Sequence, residues 1–502
     1  MSEHVGFAAS VDLGDIQGLL RFGYKHQTEA VFLLLRVKDA RAARAWLAAA
    51  DVTSSITCAQ TPRTVLQIAL TSEGLRALEV PADLIAGFSE EFIEGMAGDD
   101  NRSRRLGDVG ANDRSRWEWG NADRVPHVAL MLYALPGALA EFRRSIEQQI
   151  APGFSLLSAL DTSDLGDDEP FGFRDGISQP TLDWARQRVP RDETRLRYVD
   201  LSCLGEYLLG YPNEYGRYTP RPLLSASRDP GNELPRAEES PDLADLGRNG
   251  SYLVFRQLHQ DIALFWKTID RYARGVSADR DMLAAAMVGR TRTGEPLVAL
   301  LTPPSDVAPR AAALDLNKFN YDSDPKGTRC PFGAHTRRAN PRSGDFPPGT
   351  KGLISKLIRT LGFNPRAREE DQVASARFHR LLRRGREYGP GVSIEQALDA
   401  ATGSTPTGLH FICLNASIQR QFEFVQGAWI MSTKFNGMRD ESDPLLGNRV
   451  EDFAGNPTDR FRMPQVDSPT EVLTGLPQFV TVRGGAYFFL PGIRALRYLA
   501  TH

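Results

Sequence analysis

Three short segments hold the residues whose types and spacing could do chemistry. His335 stands in CPFGAHTRRANPR (330–342), where Pro331, Gly333, Asn340 and Pro341 argue for a shaped loop. Arg337, Arg338 and Arg342 follow within seven residues of it. A lone imidazole can be the only protein ligand of a metal whose other ligands come from a macrocycle, and arginine forks suit carboxylates carried by such a ligand. Asp175 stands in FGFRDGISQP (171–180), where flanking glycines let the backbone turn tightly and approach a flat molecule. Arg383 and Arg384 stand in FHRLLRRGREYGPG (378–391). Each segment also has an ordinary reading. The first suits a basic surface loop and the second an Asp-Gly turn. The third suits a helix end whose cations face the dipole, closed by Gly385.

Other chemistries find little support. The remaining histidines are His4, His26, His127, His259, His379, His410 and His502, and they form no HxxxH or HExxH pair. No GxSxG elbow or Cys/His signature points to a hydrolase. Cys58, Cys203, Cys330 and Cys413 are scattered, without CxxC or CxxCH, which fits a reducing compartment and gives no covalent haem attachment.

The elements that must position these residues come from 502 residues, 41% hydrophobic and 25% charged. A net charge of −3 argues against a nucleic-acid binder. No apolar run nears the ~18 residues of a membrane span, and MSEHVGFAASVDLGDIQG carries no basic-apolar leader or twin arginine. A cytoplasmic protein is therefore expected. VFLLLRV (31–37), TVLQIALT (64–71), HVALMLYA (127–134) and GFSLLSAL (153–160) read as strands. DARAARAWLAAA (39–50), SEGLRAL (72–78) and PGALAEFRRSIEQQI (136–150) read as helices. The pattern restarts with GSYLVFRQL (250–258), HQDIALFWKTIDRYA (259–273), LHFICLNA (409–416) and SIQRQFEFVQGAWI (417–430). FVTVRGGAYFFL (479–490) is expected to be a hairpin about Gly484 and Gly485. The division expected is an N-terminal domain over 1–218, a linker or long loop over 219–249, and a C-terminal domain over 250–502. The Pro-, Gly- and charge-rich segment 302–376 resists assignment.

Taken together and in order, the motifs resemble the dye-decolourising peroxidase family. GxxDG is present as Gly172 to Gly176, AHxRxxNPR as Ala334 to Arg342, and LRRG as Leu382 to Gly385. DIQGLL (15–20), GEYLLGYPNE (205–214), NGSYLVFRQLHQD (249–261) and FICLNASIQRQFEFVQ (411–426) extend the likeness over nearly the whole chain, as one of the longer members. The resemblance implies an α+β fold of two ferredoxin-like domains with antiparallel sheets, the haem held mainly by the second. It implies one non-covalent haem b per chain, with His335 as iron ligand. It places Asp175 and Arg383 on the opposite face as catalytic residues, with Arg384 as a possible alternative to Arg383. Arg342, Ile177, Ser178 and Gln179 fall to cofactor binding.

The implied partners are hydrogen peroxide and an organic reductant such as a dye or phenol. Neither nucleic acid nor membrane is among them, and a homo-oligomer is possible. The alternative is a haem-binding protein of iron or porphyrin handling. Shorter relatives place an Asp beside the ligand histidine at a strand–helix junction that here reads Leu414-Asn415-Ala416-Ser417. The partner of His335 is thus left open between a neutral side chain, a carbonyl and a carboxylate elsewhere. Trp117, Trp119, Tyr207, Tyr211, Tyr215 and Tyr218 could pass electrons to the surface, but packing is the more ordinary role.

Overall fold

The run expected to be a buried strand forms β1 (Glu29–Val37), and its two faces serve two separate cores. Val31, Leu33 and Leu35 pack into one, Phe32 and Leu34 into the other. Cover on both faces is why the run is continuously apolar rather than alternating. The computed structural model describes residues 10–190, 200–276, 278–300, 316–342, 376–403, 406–452 and 454–501. Most of 302–376 lies outside them.

The first half continues with α1 (Ala40–Ala49), β2 (Thr64–Leu70), β3 (Val128–Ala134), α2 (Leu139–Ile150) and β4 (Phe154–Asp161). Asp39 caps α1 by accepting a bond from the Ala42 amide at 2.8 Å. The second half repeats the order with β5 (Ser251–Gln260), α3 (Ile262–Ala273), the short β6 (Leu382–Arg383) and β7 (Arg386–Tyr388), β8 (Gly408–Asn415) and β9 (Val480–Leu490). β1 lies between β3 and β4, β5 lies likewise between β8 and β9 with β6 and β7 together as the second strand of that half, and all ladders of the shared sheet are antiparallel. This is the ferredoxin-like arrangement, made twice. The halves share one nine-stranded sheet, joined where Phe489 of β9 pairs with Leu70 of β2. Segment 219–249 packs onto this body with its own two-stranded ladder, Leu223–Ser225 on Leu243–Asp245. The buried Arg221 guanidinium closes it on Asp245 and Glu239.

Three expectations change. FVTVRGGAYFFL is no hairpin but the single strand β9, with a register shift between Val482 and Gly484. Its glycines serve close approach instead of a turn. A Cβ at Gly484 would meet the Trp119 indole at 2.6 Å. Gly484→Val is therefore expected to lower unfolding free energy by about 1–3 kcal/mol through overpacking; unchanged denaturant midpoints would refute this. The helix expected over 417–430 is there, but widened to π-type turns at Gln419–Glu423 and Val425–Ile430. LLRRG is not a helix end; Leu382 and Arg383 form a strand on β8. Of the aromatics, Trp117, Trp119, Tyr207 and Tyr211 are buried in packing roles. Among the described residues no helix is long and apolar enough to cross a membrane.

Candidate active site

The loop bearing Asp175 is fixed by what flanks it. Phe171 and Phe173 are buried against α3, with the Phe171 and Phe265 rings 4.6 Å apart and the Trp266 indole N–H donating to the Phe171 carbonyl at 3.2 Å. The Asp175 amide donates to the Asp167 carbonyl at 2.8 Å. Gly176 follows at φ +74°, a conformation that costs other residues strain. The alternation Phe-x-Phe-x-Asp thus sinks two rings and turns the carboxylate toward a cavity of about 270 Å³.

That cavity stands on one face of the second half of the sheet. Leu258, Leu409, Phe411 and Val480 floor it, and Phe319, Val425, Trp429, Leu445 and Leu446 complete an apolar wall. His335, Arg342, Ile177, Ser178, Gln179, Asp175 and Arg383 all line it, so the structure brings every predicted site residue to one space.

Arg383 reaches Asp175 from β6: its Nη1 donates to Asp175 Oδ1 at 2.9 Å and its Nη2 to the Ser178 carbonyl at 3.3 Å. The Gln179 amide clamps the Arg383 backbone, donating to its carbonyl and accepting from its amide, both at 3.1 Å. Arg384 points the other way, onto the carbonyls of Leu19 and Leu20, where burial pushes its pKa down to about 10. Of the two arginines, Arg383 lines the cavity and Arg384 does not. Burial alone would raise the Asp175 carboxyl. The Arg383 charge, the Gly176 amide and the Arg383 hydrogen bond outweigh it and hold the group below its ordinary range.

On the other side, His335 opens a short helix, α4 (His335–Ala339). Its Nδ1 bonds Asp443 Oδ2 at 2.9 Å, leaving Nε2 as its remaining nitrogen. Asp443 is fully buried, and its Oδ1 accepts the amides of Leu445 and Leu446, each at 2.9 Å. Burial works against its charge, but His335, Arg338 and those amides keep it ionised below the ordinary range. Asp443 is thus the carboxylate missing from the strand–helix junction, supplied from elsewhere. The following arginines divide their tasks. Arg337 braces Asp324 at 2.9 Å, and Arg338 holds the carbonyls of Trp429 and Ser432 at 2.8 and 3.0 Å. Only Arg342 of the three lines the cavity, with its Nη2 on Asn317 Oδ1 at 2.6 Å and on Ser178 at 3.2 Å. Arg290, which no motif marked, donates to the same Ser178 hydroxyl at 3.0 Å; burial and Arg342 push its pKa down to about 10. Two cations converging on one hydroxyl beside an apolar cavity make a seat for an anionic ligand group.

No family model matches the chain. Curated relatives and solved structures do. The dye-decolorizing peroxidase msp1 of Mycetinis scorodonius is 28% identical over 98% of this chain and 88% of its own. The multifunctional dye peroxidase DyP2 of an Amycolatopsis species is 28% identical over 86% and 82%. The crystal structure of a fungal DyP-type peroxidase from Auricularia auricula-judae superposes with a TM-score of 0.71, at 25% identity, covering 98% of this chain and all of that one. This chain is similar to dye-decolorizing peroxidases over nearly its whole length.

A similar solved structure is of a dye-decolorizing peroxidase with an engineered heme pocket, and the residues present here fit that cofactor. Among the described residues no group of three or more His, Cys, Asp or Glu could hold a bare metal ion. A single imidazole, oriented by a buried carboxylate and facing an apolar space, suits an iron with four porphyrin nitrogens. Arg290 and Arg342 suit its propionates.

Proposed function

We propose that the protein is a haem-dependent peroxidase that reduces hydrogen peroxide with electrons from dyes, phenols or other organic donors. One haem b per chain is held without a covalent bond, a reading supported by the absence of CxxCH. The observation that carries the proposal is the Asp175–Arg383 pair in the cavity that His335 lines. A haem carrier would need His335 alone.

Haem, when bound, would be held through His335 and would supply redox-active iron for peroxide reduction. The chain supplies proton traffic and charge. Asp175 is ionised, so it can take the proton from the inner oxygen of peroxide and return it to the outer oxygen, which leaves as water. Arg383 holds one carboxylate oxygen and stabilises negative charge that develops as the O–O bond breaks. Apolar walls keep bulk water from competing.

The lowered pKa of Asp175 fixes the sign of the pH dependence. The base form persists through the ordinary Asp range near ~3.9 and is lost only as pH falls through the depressed value. Its contribution to stability follows the same course: present above the unfolded value and lost on acidification. Stopped-flow mixing with peroxide is expected to show a reaction that survives mild acid. Asp175→Asn should lose about 10²–10⁴-fold at every pH. A rate unchanged in that variant, with an optimum above neutrality, would sink Asp175 as the base.

A further inference from the structure

The cleavage step only moves one proton between the two oxygens of peroxide. Complete reduction takes up more: one hydrogen peroxide, two electrons and two protons give two waters. A phenol brings a proton with each electron. A donor that gives electrons alone does not, so two protons must enter the cavity from solvent. The known pair does not provide that entry, since Asp175 is held ionised by Arg383.

A carboxyl on the sheet face that floors the cavity, beside a lining residue, is placed to provide it. On β7 the side-chain alternation is set by Arg386, whose guanidinium bonds the carbonyls of Tyr24 and Gln27 at 2.6 and 3.1 Å and lies over the Tyr133 ring. Tyr133 belongs to the core on the far face of the sheet. Glu387, next in the strand, therefore takes the near face, shared with its register partner Leu409, which lines the cavity. Glu387 is half-buried, while Asp164, which acts on it electrostatically, is exposed. The charged groups acting on Glu387 are Asp175 from the GxxDG loop, Asp164 from the turn after β4, and Arg386 on its own strand. Glu387 is thus near enough to feel the charges of both the exposed Asp164 and the cavity residue Asp175.

We propose that Glu387 is a proton-delivery residue, carrying protons from solvent past Asp164 to Asp175 whenever the reductant supplies electrons alone. Burial, with the neighbouring Asp175 and Asp164 charges adding to it, pushes Glu387 up to about 7, so it exchanges protons near neutrality. The proposal rests on the peroxidase reading.

The test compares the holoenzyme with its Glu387→Gln and Glu387→Asp variants, using ferrocyanide as electron-only donor and a phenol as hydrogen donor. In Glu387→Gln, ferrocyanide turnover near neutrality should fall about tenfold or more, with a larger solvent deuterium isotope effect. Phenol turnover should hold, and Glu387→Asp should recover part of the loss. Infrared difference spectra across the same pH range should lose one carboxylic C=O band that titrates near neutrality. Unchanged ferrocyanide turnover and isotope effect, or an equal loss with both donors, would overturn the proton route. A wild-type holoenzyme inert with both donors would overturn the peroxidase reading itself.

Discussion

Replacing Arg383 with Leu is expected to slow the reaction with peroxide by about 10²–10³-fold, or about 2.7–4 kcal/mol, the usual cost of removing a preorganised charge from a developing anion. The effect should exceed simple loss of charge, because Leu also removes the cation that keeps Asp175 ionised. In Arg383→Leu the half-buried carboxyl loses its main partner, so its pKa should rise and the acid limb of the rate profile should move to higher pH. Arg383→Lys should restore part of the rate, since it keeps a charge but not the fork that reaches Asp175 Oδ1 and the Ser178 carbonyl together. Stopped-flow traces of the Soret band after peroxide addition measure this directly. Arg384→Leu serves as the contrast: its side chain binds the carbonyls of Leu19 and Leu20, so it should cost stability and leave the peroxide step near wild type. Equal rates for Arg383→Leu and wild type would remove Arg383 from the mechanism.

Loss of His335 should have the other large effect. His335→Ala leaves the cavity without its imidazole, and the Soret band of the purified holoprotein should vanish or shift to that of loosely held haem. It also strands Asp443, whose buried charge loses its main partner. Asp443→Asn separates the two roles. It keeps the imidazole but replaces an anionic partner with a neutral one, which weakens the imidazole as an electron donor and raises the iron reduction potential. A loss of about 10–100-fold in haem affinity or activity is expected, as for other partners of ligating histidines. Spectroelectrochemical titration of both proteins decides it; identical potentials would show that Asp443 only holds the ring in place.

These residues also show what sequence can and cannot disclose. The strands were legible because β1, β3 and β5 are buried on both faces, and a continuous apolar run admits few other readings. His335, Asp175 and Arg383 were legible as an ordered set, although each alone reads as a loop, a turn or a helix end. Asp443 was not, because it lies 108 positions from the histidine it orients. Its only local mark is an Asp-Pro step whose carboxylate caps the next two amides, a pattern common in turns. Arg290 was hidden for a similar reason: it becomes a site residue only through Ser178, 112 positions away. Gly484 misled in the opposite direction. Two glycines between apolar runs are an ordinary turn signal, and only the Trp119 indole, from a distant part of the chain, shows that they make room rather than a bend.

The contact between Asp175 and Arg383 spans 208 positions of sequence, with β5 and α3 made between them. At ~5–20 residues per second of synthesis, the Asp175 loop leaves the ribosome tens of seconds before Arg383 exists. Through that interval Phe171 and Phe173 have no α3 to pack against at first, and the carboxylate has no counter-ion. The nascent chain therefore holds an unfinished cavity, and the Asp175–Arg383 pair cannot act on a partly made molecule. Long-range closure of this kind makes folding slow, but it also ties the appearance of activity to completion of the fold.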